Sequence, residues 1–346
     1  MNLLTALTNE EMLSFSQDLS IARPNLMGDL LFPDMKTENL VAEYRRLLAD
    51  GKLPVMANVH AFDVEARIGV RPTWEEVKVE KLLIKEKINL SERVRLLKNT
   101  GVNSDDAILK YVFDDMGRLA NNVKTRTEVA KMELVGTGKV TVNENNLSLE
   151  IDYGFTSSDK DTADWSDDTA DVLGDIQGWV DTMKDNGQPA DTIVTSTTVL
   201  RRMQKNTDIV GAVYGSDTGR LVSQAQVQAL FAELFGINKI LINDNKYQTL
   251  GADGTLTKVR YVAESAFTLI SSVGGQAGKG LWGVTPEEEA LGQFNEKSLR
   301  QFITVANWAT EDPVAVWTKA TGVFIPVLPY SNSMFFATIT TSEISA

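Results

Sequence analysis

The chain has 346 residues, 43% hydrophobic and 23% charged, which suffices for a large core or two domains and carries no stretch near the ~20 apolar residues of a membrane span. Its 34 basic and 47 acidic residues leave a net charge of −13 with no run of five basic residues, which disfavours phosphate-tracking nucleic-acid binding. There is no cysteine, so disulfides and thiolate chemistry are excluded.

Met1-Asn2-Leu3-Leu4-Thr5 has no basic region ahead of an apolar segment, so synthesis without a signal peptide is expected. Residues 1–35 read as an arm. Leu3, Leu4, Leu19, Ile21, Leu26, Leu30 and Leu31 are too scattered for a core of their own, and Arg23-Pro24 and Phe32-Pro33 interrupt them. Residues 55–68 and 75–90 then alternate with a period of two. Phe62, Val64, Ala66 and Ile68 interleave with Asp63, Glu65 and Arg67; Val77 and Val79 with Lys78 and Glu80; Ile84 and Ile88 with Lys85 and Lys87. This predicts two extended strands joined by Gly69-Val70-Arg71-Pro72. Charges of both signs make the pair a projecting hairpin that lies on something else.

Next comes the longest periodic segment. Ile108, Val112, Met116, Leu119, Val123, Ala130 and Leu134 recur at spacings of three and four, with Thr127 in the one gap. The spacing predicts a helix over 104–134, ~46 Å long, against a usual length of ~11–12 residues. Ser104 is its N-cap, Asp105 and Asp106 suit the positive end of its dipole, and Gly136 and Gly138 are expected to stop it. A helix this long braces a large domain or forms a coiled coil; its strand-rich flanks favour the brace. A second hairpin follows over 140–153, turning at Asn143–Asn146.

From 165 to about 272 helices and strands alternate, an α/β arrangement. Helices are predicted over 166–185, from Ser196 to about Asn206, and over 222–235 with Val227, Leu230, Phe231 and Leu234 inward. Strands are predicted over 191–195, 239–243 and 259–262. The remainder is strand-like: 267–270, 302–306, 314–317, 324–328 and 335–339.

Candidate chemistry is sparse. His60, the one histidine, falls in the charged hairpin with no nucleophile or orienting carboxylate beside it. Gly278-Lys279-Gly280-Leu281-Trp282-Gly283 spells G-x-G-x-x-G, but Thr285-Pro286 stands where a helix should open. As a phosphate loop it lacks the first glycine (Val273) and the hydroxyl after Lys279, so it reads as a flexible glycine loop. Asp217-Thr218-Gly219 is one aspartic-protease triplet where two are needed. Asp161, Asp164, Asp167 and Asp168, and Glu287–Glu289, lack the spacing of a calcium loop, and no cluster suits zinc. No catalytic, cofactor or metal site is expected.

The order of elements is itself informative. Arm, charged extended loop, long spine helix, hairpin, α/β region and closing strands resemble the Hong Kong 97-like fold of tailed-phage capsid proteins. The local text is most similar to the lambda-type major capsid protein family. It is carried by Leu31-Phe32-Pro33 with Lys36-Thr37-Glu38, Leu53-Pro54-Val55-Met56-Ala57, and Gly136-Thr137-Gly138-Lys139-Val140-Thr141-Val142. Ile151-Asp152-Tyr153-Gly154, Asp191-Thr192-Ile193-Val194 before Leu200-Arg201-Arg202-Met203, and Phe324-Ile325-Pro326-Val327-Leu328-Pro329 complete it.

The resemblance implies an α+β capsid subunit: an arm over 1–35, an extended loop and its base over 36–91, a peripheral domain over 92–158 and 265–346, and an axial domain over 159–264. It implies a protein of the virion capsid, made in the host bacterial cytoplasm, that assembles into hexamers and pentamers of an icosahedral or prolate head around double-stranded DNA. DNA would be near it without specific binding. Its implied partners are copies of itself and portal, scaffolding or maturation proteins. A decoration protein and a lysine–asparagine crosslink are both known among relatives, and no motif chooses between them. Contacts between subunits are expected at Trp74, Glu76, Lys78, Glu80, Lys81, Lys85, Lys87 and Phe32, and spine packing at Ile108, Val112, Met116, Leu119 and Val123. Two alternatives share parts of this reading: an encapsulin-type shell around enzyme cargo, and a nucleotide-dependent enzyme using 278–283.

Overall fold

The computed structural model describes residues 26–47, 74–90, 104–144, 146–215, 219–251, 253–290, 302–311, 314–330 and 332–341. Residues 1–25 of the expected arm, the strand expected over 55–68, His60, Asp217 and Thr218 lie outside them. The end of the arm is part of the body. A short helix α1 (Met27–Leu31) and strand β1 (Asp34–Lys36) carry Leu31 and Phe32 into the core. Phe32 is therefore not an outward contact: it is 0% exposed, against Gly278.

Of the charged hairpin expected, residues 75–90 are described, and they divide between two sheets. β2 (Val41–Leu47) pairs antiparallel with β3 (Trp74–Glu80), Val41 opposite Glu80 and Leu47 opposite Trp74. The chain breaks pairing at Lys81 and resumes as β4 (Leu82–Leu90) in another sheet. The alternation of 75–90 holds on either side of the break, but a period of two carries no mark of a change of partner.

The spine is α2 (Ser104–Thr137), 34 residues and ~51 Å long. Met116, Leu119 and Val123 are buried along one stripe; the side chains of Ile108 and Val112 lie outside the described residues. Gly136 is inside the helix. Gly138 ends it, at φ +76°, a left-handed conformation that favours glycine. β5 (Lys139–Glu144) and β6 (Leu147–Asp152) form the second hairpin as expected.

The α/β region starts with β7 (Lys160–Asp164) and α3 (Val172–Asp185). Helix α3 begins six residues later than the apolar pattern suggests, because Asp171 takes the N-cap and accepts from the Gly174 N–H. β8 (Thr192–Thr195) leads to α4 (Thr197–Lys205), capped by Ser196. Asn206 ends that helix and caps an unforeseen one, α5 (Thr207–Tyr214), through the Asp208 and Ile209 N–H groups. A Ser223–Gln226 capping box opens α6 (Gln224–Phe235). Of the inward set expected, Val227 and Phe231 are buried and Leu230 is half-buried, whereas Leu234 is exposed and Phe235 is buried. β9 (Lys239–Ile242) is followed by an antiparallel ribbon, β10 (Lys246–Leu250) and β11 (Leu256–Arg260), whose first strand the sequence pattern did not show.

β12 (Ala266–Ile270) precedes β13 (Lys279–Trp282), which overturns the flexible-loop reading of 278–283. β13 lies between β1 and a 14-residue strand, β15 (Val314–Val327). Its glycines allow close packing: a Cβ on Gly278 would lie 2.2 Å from the Val327 carbonyl oxygen, and one on Gly280 would lie 2.7 Å from Asp34 Oδ1. A short helix α7 (Pro286–Ala290) and β14 (Ile303–Glu311) stand between β13 and β15, and β16 (Met334–Thr340) closes the described chain. The two strands expected over 314–317 and 324–328 are one strand, paired to β4, β13 and β14.

Two sheets organise the body. β1, β13, β15, β14 and β4 form one, with Ile84, Ile88, Ala320, Phe324 and Val305 in the same apolar cluster as the spine residues Met116, Leu119 and Val123. The other runs β7-β16-β12-β8-β9, and its central strands β12 and β8 with most of β16 are buried on both faces. Phe267, Leu269, Phe335 and Ile339 face a core closed by α3, α4, α5 and α6, while Ala266, Ile270, Met334 and Phe336 face the spine core. The sequence reading groups 266–270 and 334–340 with 92–158; the structure places both strands inside the sheet of the 160–242 region. A strand buried on both sides belongs to two cores, and local pattern cannot assign it to one. Trp165 and Trp179 stack at 5.9 Å in the α/β core, each indole N–H donating at 2.8 Å, to Asp175 and Asp161 respectively.

Candidate assembly surfaces

The charged limb is rooted at Lys81. Its side chain is enclosed, 3% exposed, and its ammonium donates to Thr37 Oγ1 at 2.5 Å and to the Asn39 carbonyl oxygen. Its backbone N–H donates to the Leu40 carbonyl. Burial lowers its pKa to about 8. Lys81 therefore joins the limb to its own subunit and is not the surface contact that its charge suggests.

The remaining charges of the limb divide between two sheets. On β3, Glu76, Lys78 and Glu80 are exposed, while Val77 and Val79 on the other side are half-buried. Trp74 sits at the far end of the same strand, and its side chain lies outside the described residues. On β4, Lys85 and Lys87 are exposed. Lys87 is engaged within its own chain, 4.6 Å from the centroid of Trp317, which stacks on Trp308. Glu86 accepts a hydrogen bond from Asn122 of the spine at 2.8 Å. The structure thus brings Glu76, Lys78 and Glu80 together as one outward row and separates them from Lys85 and Lys87.

A second set of charges, absent from the sequence reading, holds the N-terminal segment. Lys131, 0% exposed on the spine, bridges Asp29 at 2.6 Å and Asp34 at 2.7 Å. One turn earlier, Glu128 accepts from the Gly28 N–H at 2.9 Å, while its other oxygen is buried without a partner. Desolvation pushes the Glu128 carboxyl up to about 7, and the nearby charges of Asp29 and Asp34 act in the same direction. Lys36 and Glu288, the latter in the first turn of α7, form a further buried pair at 2.6 Å. The available signal was positional. Thr127 and Lys131 fall four residues apart in the series Val123, Thr127, Lys131, Val135, directly on the buried stripe.

Among the described residues no group of three or more histidines, cysteines, aspartates or glutamates is placed to hold a metal ion. Among them no helix is long and apolar enough to cross a membrane. Residues 278–283 are consumed by backbone pairing and close packing, leaving no cradle for a nucleotide. The described chemistry is that of anchoring and exposure.

Comparison with known proteins agrees with that geometry. A protein described as the capsid protein of a prophage of Escherichia coli CFT073 is 16% identical, covering 96% of this chain and 99% of that one, with a TM-score of 0.62. A phage-related protein from Bordetella bronchiseptica RB50 is 8% identical, covering 94% of both chains, with a TM-score of 0.58. The capsid of Myoviridae phage XM1 is 12% identical over 93% of this chain and 96% of that one, with a TM-score of 0.50. These likenesses show the fold, which is Hong Kong 97-like. No curated protein matches. The family model for phage major capsid protein E matches residues 17–338, nearly the whole chain. The chain therefore belongs to the phage major capsid protein E family, whose members are structural proteins of the viral shell and not enzymes.

Proposed function

We propose that this subunit assembles with copies of itself into hexamers and pentamers of an icosahedral or prolate head that encloses double-stranded DNA. The observation that carries the proposal is the contrast between body and limb. The ammonium groups of Lys36, Lys81 and Lys131 are all satisfied inside one subunit. Glu76 and Glu80 instead stand exposed on a separate two-stranded sheet. Each exposed ion pair across a contact contributes only ~0–1 kcal/mol, but a closed symmetric shell repeats it at every subunit. Trp74 ends the β3 row, and Lys85 and Lys87 would form a second charged patch on β4, in the other sheet. The spine body takes the peripheral position and the β7-β16-β12-β8-β9 sheet with its helices the axial one. With a net charge of −13, the shell would retain DNA by enclosure rather than adhesion. Portal, scaffolding or maturation proteins and a decoration protein are the partners this role calls for, with synthesis in the host bacterial cytoplasm.

The test is charge reversal on the limb. A Glu76→Lys, Glu80→Lys chain is expected to keep its circular dichroism and unfolding temperature, because both side chains are exposed. Sedimentation should show the yield of large particles falling at least tenfold, and raising the salt concentration should weaken assembly of the unsubstituted chain in the same direction. Undiminished particle yield from the double variant would show that the limb is not an assembly contact.

A further inference from the structure

The limb joins the body through two strand roots. β2 rises from residues 37–40, and β3 returns to Lys81, where the chain leaves the ribbon and enters the larger sheet as β4. Among the described residues the β2–β3 ribbon pairs with no third strand. A two-stranded ribbon is marginal by itself in water, so its direction has to be set at its root. Part of that root is apolar. Ala42 is buried, and Val79, directly opposite it, packs on the spine core. Apolar burial is non-directional. It holds the ribbon down without choosing its angle.

Lys81 supplies the direction. Its backbone N–H extends the ladder to the Leu40 carbonyl at 3.2 Å. Its ammonium crosses to the other root and donates to Thr37 Oγ1 and to the Asn39 carbonyl oxygen. Thr37 is itself fixed on the body, its N–H donating to the Trp282 carbonyl at 2.8 Å. The lysine stem runs past Gly283, where a Cβ would lie 3.1 Å from Lys81 Cδ and 2.8 Å from Val323 Cγ1. One side chain thus ties both roots of the limb to the body through hydrogen bonds, which constrain angle as well as distance. Neither acceptor of the ammonium is a carboxylate. A buried cation held by neutral groups is costly to desolvate, and its pKa near 8 reflects that cost. A methionine would fill the same space without it. A costly group at a place where stability does not require it points to a role in position.

We propose that Lys81 is a positioning residue for assembly: it fixes the direction of the β2–β3 limb, so that Glu76 and Glu80 are presented to a second copy of this chain at one angle. A closed symmetric shell requires that its repeated contacts be made at defined angles. The inference rests on the self-assembly proposed above and gives an enclosed residue control of an exposed contact.

The chain has no cysteine, so introduced thiols are its only ones. Spin labels are placed at Glu76→Cys on the limb and Arg118→Cys on the spine, both exposed positions. Their separation is measured by double electron–electron resonance on dilute, unassembled subunits. One narrow distance distribution is expected with Lys81 in place. Lys81→Met should keep or raise the unfolding temperature and broaden that distribution severalfold. An equally narrow distribution in folded Lys81→Met would overturn the inference and leave the shell function standing. Should Lys81→Met not fold, Thr37→Val decides, since it removes one acceptor and keeps the volume: broadening supports the inference, and a distribution like the parent's overturns it. Without labels, the particle yield of Lys81→Met is expected to fall at least tenfold although every exposed limb charge is intact; an undiminished yield would be fatal to the role in assembly. Failure of the unsubstituted chain to associate at all would remove the shell reading, whereas the label distance, read on single subunits, still decides whether Lys81 sets the limb's direction.

Discussion

Leu119→Asp is expected to leave no folded subunit. Leu119 is 0% exposed, and its cluster joins the spine to Val305, Ala320 and Phe324 of the adjoining sheet. An ionised carboxyl placed there is buried without a partner, at a cost of several kcal/mol even after relaxation, and the lost leucine packing adds to it. The sum approaches the 5–15 kcal/mol that holds a typical protein folded. Expression should therefore yield insoluble protein or a chain without a cooperative thermal transition. Soluble, cooperatively folding Leu119→Asp subunits would show that α2 is not the internal brace of the body. The contrast with the limb variant is the useful part: its substituted side chains are exposed, so the same assays should find it folded and unable to assemble.

Glu128→Gln should have the opposite effect, stabilising the subunit increasingly as pH rises above about 4.5 and fully from about 7 upward. Burial holds the folded carboxyl near 7, well above its ordinary value of 4.5. Between about pH 4.5 and 7 the unfolded chain gives up this proton while the folded chain keeps it. The folded state then binds more protons, so stability falls as pH rises through that window and levels off above 7. The total is at most ~3 kcal/mol, since one pKa unit corresponds to ~1.4 kcal/mol. Glutamine keeps an oxygen for the Gly28 N–H and cannot ionise. The variant should match the parent in thermal unfolding near pH 4.5 and exceed it by several degrees at pH 8. Lys81 does not obscure the comparison. Its lowered pKa adds stability with rising pH between about 8 and 10.5, a separate window, and it is common to both chains. Equal unfolding temperatures for parent and variant at pH 8 would mean that burial does not raise the Glu128 carboxyl above its ordinary range.

The sequence was most readable where one periodicity met one environment. The described part of α2 shows its stripe because it lies in a single core, and β8 and α4 follow from a short apolar run and a serine cap. Legibility ended where a residue's surroundings are supplied from far along the chain. Lys81 sits in an alternating charged run and reads as surface, yet Thr37 and Asn39 enclose its ammonium. Lys131 is a cation on a helix until Asp29 and Asp34, about a hundred residues away, come to meet it. Gly278 and Gly280 spell a phosphate-binding pattern, but their actual constraint is the approach of Val327 and Asp34. The strands 266–270 and 334–340 were legible as strands and not as members of a particular sheet, because each face belongs to a different core. The candidate assembly surface divides the same way. The exposed β3 charges are visible in the alternation, whereas the division of 75–90 between two sheets exists only once β3 pairs with β2 and β4 with β15.

Electron microscopy of the purified, unsubstituted chain under assembly conditions tests the central claim most directly. Uniform polyhedral shells, with their surface resolved into rings of six and five subunits, are expected. Only small soluble oligomers under every condition tried would contradict it.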